Sequence, residues 1–292
     1  MDKNICINLL NKYGIDAANL KELNNVSFET KNNDKTLIIK NFDEKEKVAM
    51  EYKTLLNLSK KMKVPSIYKN GEDYITEASV IEKIEGKEIS TYEDKDASSY
   101  LLGSALGLLH VSEINEQSSE EELKKIWENY ILSKTLYFGT KIISLFNKEF
   151  NDRIFNYLNE NMHFVKEDYE LTLLLGKISN SDYVVKDDRV YFNNFENCMV
   201  GDATSDFAMI YDYYYDNEEQ LEKFLTGYQD YMNLPDNFEN KLPFYKFINT
   251  LDRLIELSED KENNKEEIDN MIDIVNAIIE GKYHVITNVE EF

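Results

Sequence analysis

The stretch Leu171 to Ala208 is rich in side chains able to do chemistry, and six of them stand out: Lys177, Asp182, Asn194, Glu196, Asp202 and Asp206. All but the lysine offer carboxylate or amide oxygens, the ligand type that hard cations such as Mg²⁺ select. Lys177 is different in kind. An ammonium has no lone pair, so it accepts no proton from a substrate hydroxyl unless strong desolvation first removes its charge. The pattern around these residues supplies elements to hold them. Leu173-Leu174-Leu175 and Tyr183-Val184-Val185 are apolar runs flanking a polar loop. Asp187-Asp188 is a two-residue turn signal, and Arg189 to Phe192 returns as the second strand of a hairpin. Gly201-Asp202 is expected to open a helix, with Asp202 as its capping residue.

Before this stretch the chain reads as strands with one long helix. Residues 2 to 13 have the apolar spacing of a short helix (Ile5, Leu9, Leu10) that ends at Gly14. Val26 to Thr30 and Thr36 to Phe42 read as strands around the turn Lys31 to Asp34, with Lys40 near the end of the second. Glu44 to Lys60 is helical, placing Val48, Tyr52, Leu55 and Leu56 on one face and Glu51 in its middle. Tyr74 to Ile84 is a further strand, and Glu85-Gly86-Lys87 a turn. From Ala97 onward the apolar period becomes that of helices, over 97–110, 127–146, 152–162, 217–234, 244–257 and 268–279. Tyr211 to Tyr215 is expected to continue the helix begun at Asp202. His110 reads as a packed helix-end residue, Glu116 to Glu122 as an acidic loop, and Ser258 to Glu267 as a solvated run. Strands early and helices late make this an α+β chain.

Composition narrows the function classes. The 292 residues are ample for a sizeable core, and 42% hydrophobic with 30% charged residues is the balance of a soluble globular protein. No apolar run approaches the roughly 18 residues of a membrane span, and the N-terminus lacks a basic-then-apolar signal pattern. Cys6 and Cys198 form no metal or disulfide spacing, so a reducing, cytoplasmic setting is expected. Up to Glu85 acidic and basic residues balance, 14 of each. The remainder holds 19 basic and 42 acidic residues, and so carries the whole formal charge of −23. Such a field repels nucleic acid and anionic membranes and attracts cations.

The layout resembles the catalytic core of the aminoglycoside phosphotransferase and choline kinase family, which is protein-kinase-like in fold. That family writes the central stretch as His-Gly-Asp, four residues, Asn, a hairpin, Asp-Phe-Glu, then Gly-Asp-Pro-x-x-Asp-Leu-Ala. Here Leu175, Gly176 and Lys177 stand at His-Gly-Asp, Asp182 at the metal-binding Asn, and Asn194-Phe195-Glu196 at Asp-Phe-Glu. Gly201-Asp202 and Asp206-Phe207-Ala208 match the last block. Other phrases agree in order: Val64-Pro65-Ser66-Ile67 after the long helix, the segment ending in Leu109-His110, and Phe224-Leu225-x-Gly227-Tyr228. The resemblance spans residues 22 to 258. It implies a bilobal α+β fold with a small antiparallel-sheet N-lobe (1–85) and a mostly helical C-lobe (86–292). It also implies roles. Lys40 would hold nucleotide phosphates with Glu51 as its ion-pair partner, and Val80 to Gly86 would be a hinge whose backbone edge, at Glu82 and Ile84, reads adenine. In relatives the inserted helical region lines the acceptor site, which sets Trp127, Tyr130 and Tyr137 between pocket and core.

The departures carry as much information as the matches. A phosphoryl transferase needs a carboxylate to accept the acceptor's proton and oxygen ligands for Mg²⁺. Lys177 replaces the first, and the ligand charge is exchanged between Asp182 and Asn194. No glycine lies between Gly14 and Gly71 to form a phosphate-covering loop. The expectation is a pseudokinase that binds ATP and Mg²⁺ weakly or not at all and serves as a binding or scaffold protein. Its partner would be a protein or a cationic small molecule. The alternative is an active ATP-dependent small-molecule phosphotransferase, with Lys177 stabilising transferred charge and Glu196 or Asp182 as base.

Overall fold

A computed structural model describes residues 3–24, 27–41, 45–67, 78–112, 118–167, 169–178, 182–211 and 217–285. Helix α1 (Lys3–Lys12) leads into strands β1 (Lys21–Asn24), β2 (Ser27–Asn32) and β3 (Lys35–Asn41). Helix α2 (Lys45–Leu58) is followed by β4 (Ser66–Ile67) and β5 (Ala78–Glu82). These strands form one antiparallel sheet in the order β1-β2-β3-β5-β4. The β2–β3 hairpin turns at Asn33, whose φ of +57° suits an asparagine. Pairing of Ser27 with Lys40 and of Lys40 with Ser79 fixes the register of the middle strands. One apolar cluster holds this region together, with Cys6, Leu9 and Leu10 of α1 packed with Phe28, Leu37, Ile39 and Val80 of the sheet. Burying each such side chain is worth about 1.5–3 kcal/mol, which is what stabilises a helix as short as α1.

Next come β6 (Lys87–Glu88) and α3 (Lys95–His110), the latter capped by the Asp94 carboxylate, which accepts from the Ala97 N–H at 3.0 Å. Helix α4 (Glu120–Leu145) starts in a reciprocal Ser119–Glu122 capping box, and α5 (Lys148–Asn161) starts at the Asn147 cap. Strand β7 (Leu171–Leu174) then precedes the hairpin β8 (Tyr183–Lys186) and β9 (Arg189–Phe192). Asp187 and Asp188 both have positive φ, +51° and +53°, as a two-residue primed turn requires. Strands β6, β8 and β9 form a small sheet in that order, and β10 (Met199–Asp202) pairs with β7. Helices α6 (Thr204–Ile210), α7 (Glu218–Gln229), α8 (Phe238–Leu257) and α9 (Lys265–Ile279) complete the described chain.

Two compact units emerge. One comprises 1–115, 175–199 and 223–232, and the other 116–174, 200–222 and 233–292. The first contains the five-stranded sheet and the small sheet of the hairpin. The second is built on α4, α5, α8 and α9, and in it Trp127, Ile131, Phe138 and Ile142 form the buried stripe of α4.

Several details differ from the expectations. Asp202 is not a helix cap: it ends β10, and the capping position of α6 is Ala203. Its carboxylate still orders the turn, accepting from the Thr204 N–H at 2.9 Å and the Thr204 hydroxyl at 2.7 Å. Helix α8 starts at Phe238 and runs through Pro243, which forgoes the N–H bond that another residue would make to the Glu239 carbonyl. Short strands β1, β6 and β10 replace stretches without a strand reading, since two to four residues carry too little alternation to be seen. The continuation through Asp212 to Tyr215, the first part of the Tyr74 strand and the start of the acidic loop at Glu116 lie outside the described residues. Among the described residues no helix is long and apolar enough to cross a membrane.

Candidate functional site

Strand β3 buries a continuous run from Thr36 to Lys40, so the lysine enters the interior on an apolar strand and needs charge partners there. Lys40 Nζ lies 2.8 Å from Glu51 Oε1, contributed by α2. The other oxygen of Glu51 accepts from the Ser79 hydroxyl on β5 at 3.1 Å. Exposure is 8% for the lysine side chain and 1% for the glutamate, making this a buried ion pair. Two further oxygens reach the ammonium: Asn194 Oδ1 at 2.7 Å and Glu196 Oε2 at 3.5 Å. An ammonium has three N–H donors, and these three oxygens match them. Burial alone pushes Lys40 down, but the nearby Glu51 and Glu196 charges outweigh it and hold the ammonium above its ordinary range.

Asn194 turns its other end to Asp182: Nδ2 donates to Asp182 Oδ1 at 3.1 Å. The backbone repeats the link, since Asn193 N–H donates to the Asp182 carbonyl at 2.6 Å. One amide therefore bridges Lys40 and Asp182. Upstream, Gly176 holds φ at +74°, and a Cβ there would lie 2.1 Å from the Asn197 carbonyl oxygen, so the loop before Lys177 admits glycine alone. Lys177 itself is exposed.

This donor set does not suit Mg²⁺, which demands near-octahedral oxygen ligation. Asn194 presents an N–H to Asp182 rather than an oxygen beside it, and its one oxygen is engaged by Lys40 and the Glu196 N–H, at 2.7 and 3.3 Å. Among the described residues no group of three or more His, Cys, Asp or Glu converges as a metal site.

Residues 19–238 match the sequence model of the phosphotransferase enzyme family, APH. The chain belongs to this family. No curated protein matches it. Solved structures do, at low identity and over nearly full length. The ADP-bound aminoglycoside phosphotransferase APH(2'')-Ib is 18% identical over 96% of this chain and 99% of its own, with a TM-score of 0.64. Choline kinase LicA from Streptococcus pneumoniae is 13% identical over 95% and 98%, with a TM-score of 0.63. Aminoglycoside phosphotransferase APH(4)-Ia is 13% identical over 96% and 99%, with a TM-score of 0.67. The fold is thus protein-kinase-like α+β, with an antiparallel sheet in the N-terminal region and a mostly helical remainder.

In this APH member, Lys40, Glu51, Asp182 and Asn194 come together, as their places in the family's motifs imply. Glu82 and Ile84 sit apart from them. Glu82, at the end of β5, pairs with Lys35 at 2.6 Å. Ile84 lies beyond that strand, and both of its backbone groups are taken by Asn193: its N–H donates to Oδ1 at 2.9 Å, and its carbonyl accepts from Nδ2 at 3.0 Å. Asn193 was not singled out from the sequence, since nothing in the local pattern separates it from Asn194. A second buried polar group also escaped notice. Asp202 and Lys241, both fully buried, pair at 3.2 Å, with Tyr245 donating to the same carboxylate at 3.4 Å. Burial first, and then the Asp202 charge, raise the Tyr245 phenol well above its usual range. Trp127 packs in this core and donates to Tyr245 Oη at 3.3 Å; a Cβ on Gly201 would meet its ring at 2.5 Å. His110, buried, contacts the Tyr228 hydroxyl at 3.0 Å and is a packed helix-end residue.

Proposed function

We propose that this APH-family chain has kept the phosphotransferase frame and lost its transfer chemistry, and that it acts as a pseudokinase, a binding or scaffold protein. The observation that carries the reading is the Asn194 amide, which bridges Lys40 and Asp182 and so turns the frame's polar groups toward one another. Lys177 supports it, because an ammonium at the family's proton-accepting position has no lone pair to offer. In this reading ATP and Mg²⁺ bind weakly or not at all, and the Lys40–Glu51 pair braces the sheet against α2. The acidic excess after residue 85 draws a cationic partner, through attraction that salt screens over about 8–10 Å. Both cysteines are buried and neither is in a disulfide, which suits a cytoplasmic setting.

The test is phosphotransfer. The wild type should transfer nothing from ATP to aminoglycosides, choline or small sugars. Changing Lys177→Asp alone should leave it inactive, because the metal ligands remain exchanged. The triple change Lys177→Asp, Asp182→Asn and Asn194→Asp rebuilds the family's pattern and should recover slow ATP hydrolysis, since a positioned base is worth about 10²- to 10⁴-fold. Wild-type turnover that disappears in Lys177→Ala would establish the active, rewired phosphotransferase instead.

A further inference from the structure

Helix α4 carries two apolar stripes. Trp127, Ile131, Phe138 and Ile142 are buried. Roughly a third of a turn around the helix lie Asn129, Leu132, Leu136, Gly139 and Ile143, with Phe146 at the C-cap. The spacing of this second stripe alternates three and four, the period of a seam between two helices. Yet Leu132 is 47% exposed, Leu136 65% and Ile143 63%. The stripe is also free of charge in a chain of net charge −23. Between Glu128 and Lys148 the charged residues are Lys134 and Lys141, neither of them on it, and Lys134 is turned to Asp252 of α8. Nothing within the described residues requires a glycine at 139. A Cβ there would meet Phe155 Cε1 at 3.8 Å, an ordinary contact, and a mid-helix glycine weakens the helix that holds it. Smallness at that point suits an approach from outside the chain.

We propose that this face of α4 is the seam of a homodimer, in which a second copy packs its own α4 antiparallel across a two-fold axis between residues 137 and 138. The stripe matches itself when reversed, which is what a two-fold contact between identical patches needs. In that register Leu132 faces Ile143 of the second copy, Leu136 faces its Gly139, and Asn129 faces its Phe146. A large side chain thus meets a small one beside the axis, as interdigitated packing requires. Charge selects the direction. Helix α4 opens on Glu120, Glu121 and Glu122. Parallel pairing would set these carboxylates side by side and align the two helix dipoles, whereas antiparallel pairing holds them at opposite ends. The uncharged stripe is where two strongly acidic chains can touch without adding like-charge contacts. From Asn129 to Ile143 the seam runs about 21 Å, which places the contact at the small end of specific interfaces and the dimer in the micromolar range. Dimerisation goes beyond the pseudokinase reading and is independent of whether ATP is used.

Sedimentation velocity of the full chain over about 1–200 µM brackets that range. The wild type should move from 34.3 kDa toward twice that mass as concentration rises. Leu136→Glu sets a carboxylate beside the axis and removes two buried leucines at once. It should weaken the dimer at least about 100-fold while leaving the circular dichroism unchanged. If that variant fails to fold, Ile143→Lys, at a similarly exposed position, takes its place. Direction is read by a spin label at Glu121→Cys, which is selective because both native cysteines are buried. Two such labels should lie about 50 Å apart in the antiparallel pair. Parallel helices, with axes about 8–10 Å apart, would bring them within roughly 20 Å. A wild type that keeps its monomer mass throughout overturns the proposal, as does a folded variant that dimerises like the wild type, or labels at the short distance. Should a monomeric wild type instead co-sediment with phosphatidylcholine vesicles, the face belongs to a lipid surface and the dimer is wrong. Phosphotransfer by the wild type bears on the pseudokinase reading alone.

Discussion

Replacing Glu51 by glutamine changes one atom of a side chain that is 1% exposed, yet it removes the charge facing a buried ammonium 2.8 Å away. Breaking a buried ion pair by removing one partner costs about 3–5 kcal/mol. Here Glu196, 3.5 Å from Lys40 and 29% exposed, retains part of the compensation, so the lower end of that range applies. A loss of about 3 kcal/mol in a chain of this size lowers the melting temperature by roughly 6–12 °C. Urea unfolding followed by far-UV circular dichroism would read the free energy, and scanning calorimetry the midpoint. The pH dependence has a definite sign. Because the folded state raises the pKa of Lys40, its stabilisation is fully present below the unfolded value of 10.5 and is lost only as pH rises through the raised folded value. The Glu51→Gln penalty should therefore stay flat from about pH 6 to 9. The double change Lys40→Met with Glu51→Leu removes both charges and should cost far less than the single change. A Glu51→Gln protein within about 0.5 kcal/mol of wild type, or a double variant as unstable as the single, would refute the bracing role.

Two further outcomes follow from single groups. Lys246 is 4% exposed and burial lowers its pKa to about 8, so between about pH 8 and 10.5 the unfolded chain holds a proton that the folded chain has lost. Lys246→Met should then stabilise by about 3 kcal/mol at neutral pH, with the advantage over wild type shrinking as pH rises through that window; a constant advantage in paired thermal melts would refute it. The single change Asn194→Asp sets two carboxylates against each other across a contact that is now 3.1 Å, so this variant should melt lower in EDTA and recover with Mg²⁺ or Ca²⁺ while the wild type stays indifferent. Equal melting with and without cation would count against it.

The parts of this site visible in the sequence are those with a local cause. Lys40 stands near the end of a strongly apolar strand and Glu51 in the middle of a periodic helix, so pattern placed them on their elements, while the family resemblance gave these two, and Asp182 and Asn194 around the hairpin, their roles. What pattern could not supply is where an amide points. Asn193 and Asn194 are adjacent and chemically identical, yet one turns to Ile84 and the other to Lys40 and Asp182. For Ile84 and Lys40, that choice is made by partners more than a hundred residues away in sequence. Lys241 was missed for a related reason. It sits on the apolar face of α8 between Phe238 and Tyr245, where a helical wheel flags a conflict but cannot name the Asp202 that resolves it. The short strands β6 and β10 were invisible because pairing, not propensity, makes them strands.

The two asparagines taken together support the proposed scaffold reading over a rewired enzyme. A working transferase must keep hydrogen-bonding groups aimed at a ligand that is absent in the resting state, and it tolerates the cost of their poor satisfaction. This dipeptide does the reverse. Asn193 closes the backbone edge at Ile84 with two bonds, and Asn194 joins Lys40 to Asp182 with two more. A polar network satisfied from within is stiff and gains little from opening, because each bond broken must be matched by the ligand. On the proposed reading, restoring transfer requires more than a base at position 177. The Asn194 amide must first release Lys40 and Asp182, which the triple variant achieves and Lys177→Asp alone does not.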